Sequence, residues 1–156
     1  MMCRDRESRP WPVDLFDEIL RLHGRFRSTF ADFRRDHGLA ESELMVLNAV
    51  LEAERPPTMS QIGRSMGLSR QFIQRAANSL INRGLVEQQG NPDHKRAALL
   101  IPTGKARELK REMNFRADAI AEALSHEVDI DAVRAAIHSL RAVRHAMEAH
   151  QRPARE

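Results

Sequence analysis

A single cysteine, Cys3, stands in the 156 residues. No disulfide can form within the chain, and the sequence fits a reducing compartment. Uninterrupted apolar runs are only a few residues long, against the roughly 20 that a membrane-crossing helix requires. No membrane partner is therefore expected. No apolar signal segment follows the charged start, so the expected location is cytoplasmic. Seven histidines are present, but no pair has the i, i+4 spacing of a helical zinc site, and no glycine-rich phosphate loop occurs. His138 and His145 lie two helical turns apart and cannot share one metal without another element between them. These absences speak against an enzyme, and neither a metal nor a cofactor is expected. No internal repeat or low-complexity tract is visible.

What is present is an ordinary globular composition, 42% hydrophobic and 30% charged, in a length that suits one domain, or one domain with an appended dimerisation arm. The net charge of +3 is unevenly placed. Between Thr58 and Ile101 there are six basic residues, Arg64, Arg70, Arg75, Arg83, Lys95 and Arg96, opposed only by Glu87 and Asp93. That window carries +4 and the remainder of the chain −1. Such a concentration is the electrostatic footprint of a nucleic-acid surface, although a solvated charged face would look the same on charge alone.

The pattern along the chain predicts a mainly α-helical fold with a small β-hairpin. Residues 1–12, charged and containing Pro10 and Pro12, read as a lead-in. From about Asp14 to Arg35, apolar residues recur at steps of three and four, the stripe of an amphipathic helix. Gly38 stops it. A second helix is expected from Glu41 to Ala53, ended by Pro56 and Pro57. A short third helix follows from Thr58 to Met66, with Thr58 and Gln61 at capping-box spacing and Gly67 supplying a left-handed turn. Ser69 is placed to N-cap a fourth helix that runs to Arg83 and is closed by Gly84. Leu85 to Gln89 and Ala97 to Ile101 read as strands joined by turn residues 90–94. Two long helices finish the chain, about Thr103 to Leu124 and Asp129 to Ala149, before a tail at 151–156. The inferred organisation is a dimerisation helix over 13–37, a winged helix-turn-helix domain over 38–102, and dimerisation helices over 103–150.

The fourth helix carries the functional signal. With Ile73 on the core side, 3.6 residues per turn bring Ala76, Ala77 and Leu80 to the same side. The opposite side collects Gln71, Gln74, Arg75 and Asn78, with Ser69 and Arg70 at the helix start. Each of the four can donate or accept hydrogen bonds, and none is acidic. Gln and Asn pair bidentately with adenine, and Arg with guanine, in the major groove. Double-stranded DNA is the expected partner, read by sequence. A second inference concerns self-association. Leu15, Ile19 and Leu22 on the first helix, and Val133, Ile137 and Leu140 on the last, would form a larger apolar surface than soluble monomers tolerate, which predicts a homodimer.

The chain also resembles the multiple-antibiotic-resistance-regulator (MarR) family over nearly all its length. The resemblance rests on Leu39, Val46, Leu47 and Val50, then on the run Ile62-Gly63-Arg64-Ser65-Met66-Gly67-Leu68-Ser69-Arg70-Gln71. It continues through Leu80, Arg83-Gly84-Leu85-Val86-Glu87 and Asn91-Pro92-Asp93-His94-Lys95-Arg96, and ends at Thr103. What it implies is a ligand-responsive repressor, a homodimer whose first and last two helices intertwine, and a wing that reaches the minor groove. Carried over by position, Asp93 would hold the wing in shape while Lys95 and Arg96 approach the DNA. The resemblance also implies a small aromatic or anionic effector, for which Phe26, Phe30 and Leu47 are the candidate lining residues. Those three serve equally well as plain core, and that reading is preferred.

Four positions depart from the family pattern. Lys95 stands where arginine is usual, replacing a planar fork with a point charge. Phe72 follows Gln71 where a small polar residue is usual, on the border of the core face. Gly63 replaces an alanine inside a helix, a change that costs about 1 kcal/mol in propensity. Pro102-Thr103 replaces Leu-Thr and keeps the cap. A redox switch of the kind known in one family branch needs a thiol in the first helix near tyrosines, whereas Cys3 lies in the lead-in and the chain has no tyrosine. The remaining alternative is a winged helix used only as a protein–protein scaffold, because fold does not fix function.

Overall fold

The computed structural model describes residues 9–94 and 96–150. Cys3 with the rest of 1–8, Lys95, and the tail 151–156 lie outside the described residues. The chain divides into two compact units, one up to Leu44 and one from Met45.

The first unit holds α1 (Trp11–Thr29), α2 (Ala31–Asp36) and the first turn of α3 (Glu41–Leu51). The helix begins at Trp11, so the expected lead-in is two residues too long. Pro12 sits in the first turn of α1, where an amide hydrogen would have no intrahelical acceptor in any case. Arg9 fastens this start through Asp17 (2.9 Å) and Asp14 (3.5 Å). The helix expected to run unbroken to Arg35 is interrupted at Phe30, whose φ of −97° and ψ of 12° leave the helical region. The Thr29 hydroxyl donates to the Arg25 carbonyl at 2.9 Å, a back-bond that competes with the backbone ladder and bends helices. Amphipathic spacing cannot register such a break, because the stripe continues on either side of it. Gly38, at φ 58°, ends α2. The next helix is launched by Glu43, whose carboxylate accepts from the Ala40 N–H at 2.6 Å. His23 (3.2 Å) and Arg27 (3.0 Å) of α1 both reach the Glu41 carboxylate at the start of α3.

The second unit contains the rest of α3, then α4 (Met59–Met66), α5 (Arg70–Asn82), β1 (Val86–Gln89), β2 (Leu99–Pro102), α6 (Gly104–Leu124) and α7 (Ile130–His150). α3 stops at Leu51, two residues short of the expected end. β1 and β2 pair antiparallel, with Val86 opposite Pro102 and Gln89 opposite Leu99. Thr58 adds an isolated bridge to Leu99, and the Leu100 N–H donates to the Pro57 carbonyl at 2.8 Å. The hairpin is thus stitched to the chain that leads into α4. β1 starts one residue later than expected because the Leu85 N–H is taken by the Leu80 carbonyl (2.9 Å), which makes Leu85 part of the α5 cap, and β2 runs from Leu99 to Pro102 against the expected 97–101.

The core of this unit gathers Val46, Leu47 and Val50, Ile62, the α5 residues Ile73, Ala76, Ala77 and Leu80, and Leu85, Val86, Leu100 and Ala106. α7 is launched by Asp129, whose carboxylate accepts from the Asp131 N–H (2.9 Å) and the Ala132 N–H (3.3 Å). The residues expected to face inward on α7, Val133, Ile137, Leu140 and Met147, are exposed in the single chain, and the helix buries none of its side chains. Among the described residues no helix is long and apolar enough to cross a membrane.

Candidate nucleic-acid interface

The interface is built on α4, α5 and the hairpin. Thr58 and Gln61 form a reciprocal capping box: the Gln61 N–H donates to Thr58 Oγ1 (3.2 Å), and the Thr58 N–H to Gln61 Oε1 (2.7 Å). Two backbone donors that a helix start leaves without partners are satisfied in this way. At the other end, Gly67 takes φ 65° and the Leu68 N–H closes onto the Gly63 carbonyl at 2.9 Å. Gly63 faces that turn so closely that a Cβ there would lie 3.0 Å from the Leu68 carbonyl oxygen. A side chain at this position would require the turn to give by a few tenths of an ångström, a tight contact that the glycine avoids. Ser69 then caps α5, accepting the Phe72 N–H at 3.2 Å.

α5 lies with Ile73, Ala76, Ala77 and Leu80 buried and Gln71, Gln74, Arg75 and Asn78 exposed. Ser69 and Arg70 at its start are exposed, and Phe72 is half-buried at the flank of the polar face. All the candidate residues of this helix share the solvent side. Among the described residues, Arg64, Arg70, Arg75 and Arg96 are exposed and have no ion-pair partner. Several basic residues elsewhere are engaged, among them Arg27 with Glu41, Lys110 with Glu52, Arg116 with Glu112, and Arg144 with Glu148. Exposed basic charge that no carboxylate neutralises attracts polyanions.

The loop between the strands owes its shape to Asn91. Its Oδ1 accepts from the Asp93 N–H at 3.0 Å, and its carbonyl accepts from the His94 N–H at 3.3 Å. A further turn bond joins the Ala97 N–H to the His94 carbonyl at 3.0 Å. This is Asx-turn chemistry, in which a short amide side chain replaces a backbone acceptor. The visible shaping group is thus Asn91, and Asp93 and Arg96 form no ion pair with one another. Arg96 is exposed, while Lys95 lies outside the described residues.

Of the other sequence candidates, Leu15 is half-buried, whereas Ile19, Leu22, Val133, Ile137 and Leu140 are exposed. Phe26 is 54% exposed, Phe30 is half-buried and Leu47 is 1% exposed, so the three differ widely in accessibility. Among the described residues no group of three or more His, Cys, Asp or Glu side chains could hold a metal ion.

Sequence reasoning did not single out Lys105, nor the second task of Thr103 beyond capping α6. The Thr103 hydroxyl accepts the Ala106 N–H (3.2 Å) and donates toward the Gly84 carbonyl (2.8 Å), with the Leu85 carbonyl at 3.2 Å. Lys105 Nζ donates to the Arg83 carbonyl at 3.1 Å. These contacts span about 20 residues of sequence and leave no local pattern by which to find them.

Comparison with known proteins gives a consistent picture. Residues 37–97 match the sequence model described as MarR family. An uncharacterised protein of Mycobacterium tuberculosis is 32% identical over 139 residues, covering 89% of this chain and 95% of that protein. The structure of CouR from Rhodococcus jostii bound to p-coumaroyl-CoA superposes with a TM-score of 0.70 at 21% identity, covering 88% of this chain and 96% of that one. A MarR protein from Peptoclostridium difficile gives a TM-score of 0.73 at 15% identity, covering 96% and 95%.

Proposed function

The chain belongs to the MarR family, and on that premise we propose that it is a sequence-specific, double-stranded-DNA-binding transcriptional regulator. It acts as a homodimer on a pseudo-palindromic operator, as a ligand-responsive repressor rather than a catalyst, in the cytoplasm where its DNA lies. The observation that carries the reading is α5: one side is sealed into the core, and the other offers Gln71, Gln74, Arg75 and Asn78 without an acid among them.

Readout follows from the chemistry of that face. An amide presents a donor and an acceptor side by side, which matches the N6 and N7 edge of adenine. A guanidinium presents two donors, which match O6 and N7 of guanine. Ser69 and Arg70, at the positive end of the helix dipole, suit a phosphate and fix the register of the helix in the groove. The wing, through Lys95 and Arg96 and shaped by its turn, adds charge beside the groove.

The homodimer rests on the apolar side chains that the single chain leaves in water. Ile19 and Leu22 on α1, and Val133, Ile137 and Leu140 on α7, are exposed, and burying them against a second copy removes that cost. In this organisation residues 13–37 and 103–150 serve as dimerisation helices and 38–102 as the DNA-binding domain. Half-sites are then about one helical turn apart, roughly 34–36 Å. Ligand response is supported by a related fold that binds p-coumaroyl-CoA, which fits an aromatic, anionic effector class.

The test is selection from a random duplex library by the full chain. Enrichment of an inverted repeat is expected. Recovery of unenriched sequence at every salt concentration would favour a protein–protein scaffold.

A further inference from the structure

The C-terminal end of α5 is finished by an arrangement that its own cap does not complete. Gly84 at φ 66° donates to the Ile81 carbonyl (2.9 Å), and the Leu85 N–H donates to the Leu80 carbonyl (2.9 Å). This Schellman pair satisfies two of the carbonyls that a helix end leaves free. The carbonyls of Arg83 and Gly84 are among those left over, at the negative end of the helix dipole. Both are taken by the first turn of another element: Lys105 Nζ binds the Arg83 carbonyl, and Thr103 Oγ1 binds the Gly84 carbonyl. The Thr103 N–H adds a third link, to the Leu85 carbonyl at 3.1 Å.

The Thr103 hydroxyl bridges the two helices, because the same oxygen accepts the Ala106 N–H that starts α6. Its one proton serves the α5 side and its lone pair serves the α6 side. Five residues further along α6 from Lys105, Lys110 Nζ pairs with Glu52 (2.9 Å) and lies 3.4 Å from Asn48 Oδ1, which ties the second turn of α6 to α3. A hydrogen bond of about 3 Å weakens steeply once donor and acceptor separate by much more than half an ångström. The first turn of α6 therefore cannot tilt freely while α5 stays in place.

We propose that Thr103 and Lys105 are positioning residues for DNA reading: they fasten the end of α5 to the start of α6, so that the orientation of α6 sets the pose of the α5 polar face. This rests on the reading of α5 as the DNA-contacting helix. Neither residue needs to touch DNA. Lys105 donates its ammonium to a backbone carbonyl, and Thr103 has its proton and a lone pair engaged. The joint is also a route by which a change in α6 reaches the DNA surface, because the opposite end of that 21-residue helix leaves Leu124 exposed for contact with another surface.

The experiment compares wild type, Thr103→Val, Thr103→Ser and Lys105→Met. Each full-length protein is titrated against a duplex pool selected by wild type and against the unselected random pool, at several salt concentrations. Folding is checked by circular dichroism. Loss of both hydrogen-bonding roles of Thr103 should lower affinity for the selected pool by about tenfold in Thr103→Val, and loss of the single Lys105 bond by about threefold in Lys105→Met. Binding to the random pool should stay within about twofold, because phosphate contacts do not depend on pose to the same degree. Thr103→Ser keeps both hydrogen-bonding roles and should restore discrimination, and the salt slope of Lys105→Met should match wild type. An unchanged ratio of selected to random affinity in a folded variant overturns the proposal, as does a reduced salt slope in Lys105→Met, which would make that lysine a phosphate contact. Should Thr103→Val fail to fold, Lys105→Met decides alone. A wild type that selects nothing removes the DNA reading itself, an outcome distinct from wild-type selection that the variants leave intact.

Discussion

At the scale of single residues, the α5 polar face makes the sharpest demand. Arg75→Ala and Gln71→Ala should each cost on the order of 1–3 kcal/mol on the selected site and relax the preference at particular base pairs. Competition assays with single-base operator variants check this, and equal losses on selected and random DNA would reduce both side chains to phosphate contacts. These residues were legible in the sequence because helical geometry fixes faces: once Ile73 is inside, Gln74, Arg75 and Asn78 must be outside. Their exposure follows that arithmetic. Asn91 was legible as turn chemistry, but its role as the shaping group of the wing was not. Lys105 was hidden altogether, since its partner carbonyl is 22 residues away. Gly63 looked like a defect until the structure placed the Leu68 carbonyl against it.

At the scale of elements, local signals marked helix starts more reliably than helix continuity. The Thr58–Gln61 capping box, Ser69 and Thr103 all cap the helices assigned to them, because each cap needs only a side chain and the next three residues. The interruption of the first helix at Phe30 has no such signature, since a bend preserves the apolar stripe. Thr58→Ala should cost about 1 kcal/mol in folding free energy, which corresponds to roughly 2–4 °C in Tm for a chain of this size. Thermal unfolding checks this, and no shift would mean the box is replaced by solvent at no cost. The wing makes a different kind of prediction. Lys95→Ala should weaken binding to selected and random DNA alike, and should lower the slope of log K against log[salt] by about 0.9 per lost phosphate contact, hence nearly two units in a symmetric dimer. An unchanged slope would leave the basic pair of the wing as solvated surface. Because Arg96 is not paired with Asp93, Arg96→Ala should act in the same direction.

At the scale of the whole molecule, the fold class was readable because helix periodicity, glycine stops and a short hairpin each leave a mark on the chain. Self-association leaves only an indirect mark, apolar stripes that stay exposed among the described residues. α7 carries Ile130, Val133, Ile137 and Leu140 in solvent, a surface that calls for a second copy. Ile137→Asp combined with Leu140→Asp places charges where two copies would meet and should shift the protein toward monomer in sedimentation at micromolar concentration. A wild type that is already monomeric there would remove the dimer. Operator affinity should fall together with the dimer, because a single recognition helix holds only one half-site.

The central claim, that the exposed face of α5 reads DNA sequence, is tested most directly by one titration. Wild type and the double variant Gln71→Ala, Arg75→Ala are measured by fluorescence anisotropy against the selected duplex and a scrambled duplex of equal length, in the same buffer at 0.15 M salt. The expected result is a preference of at least about a thousandfold for the selected duplex in wild type, which collapses in the double variant while scrambled binding hardly changes. Equal affinity of wild type for both duplexes, or a preference that survives loss of both side chains, would contradict it.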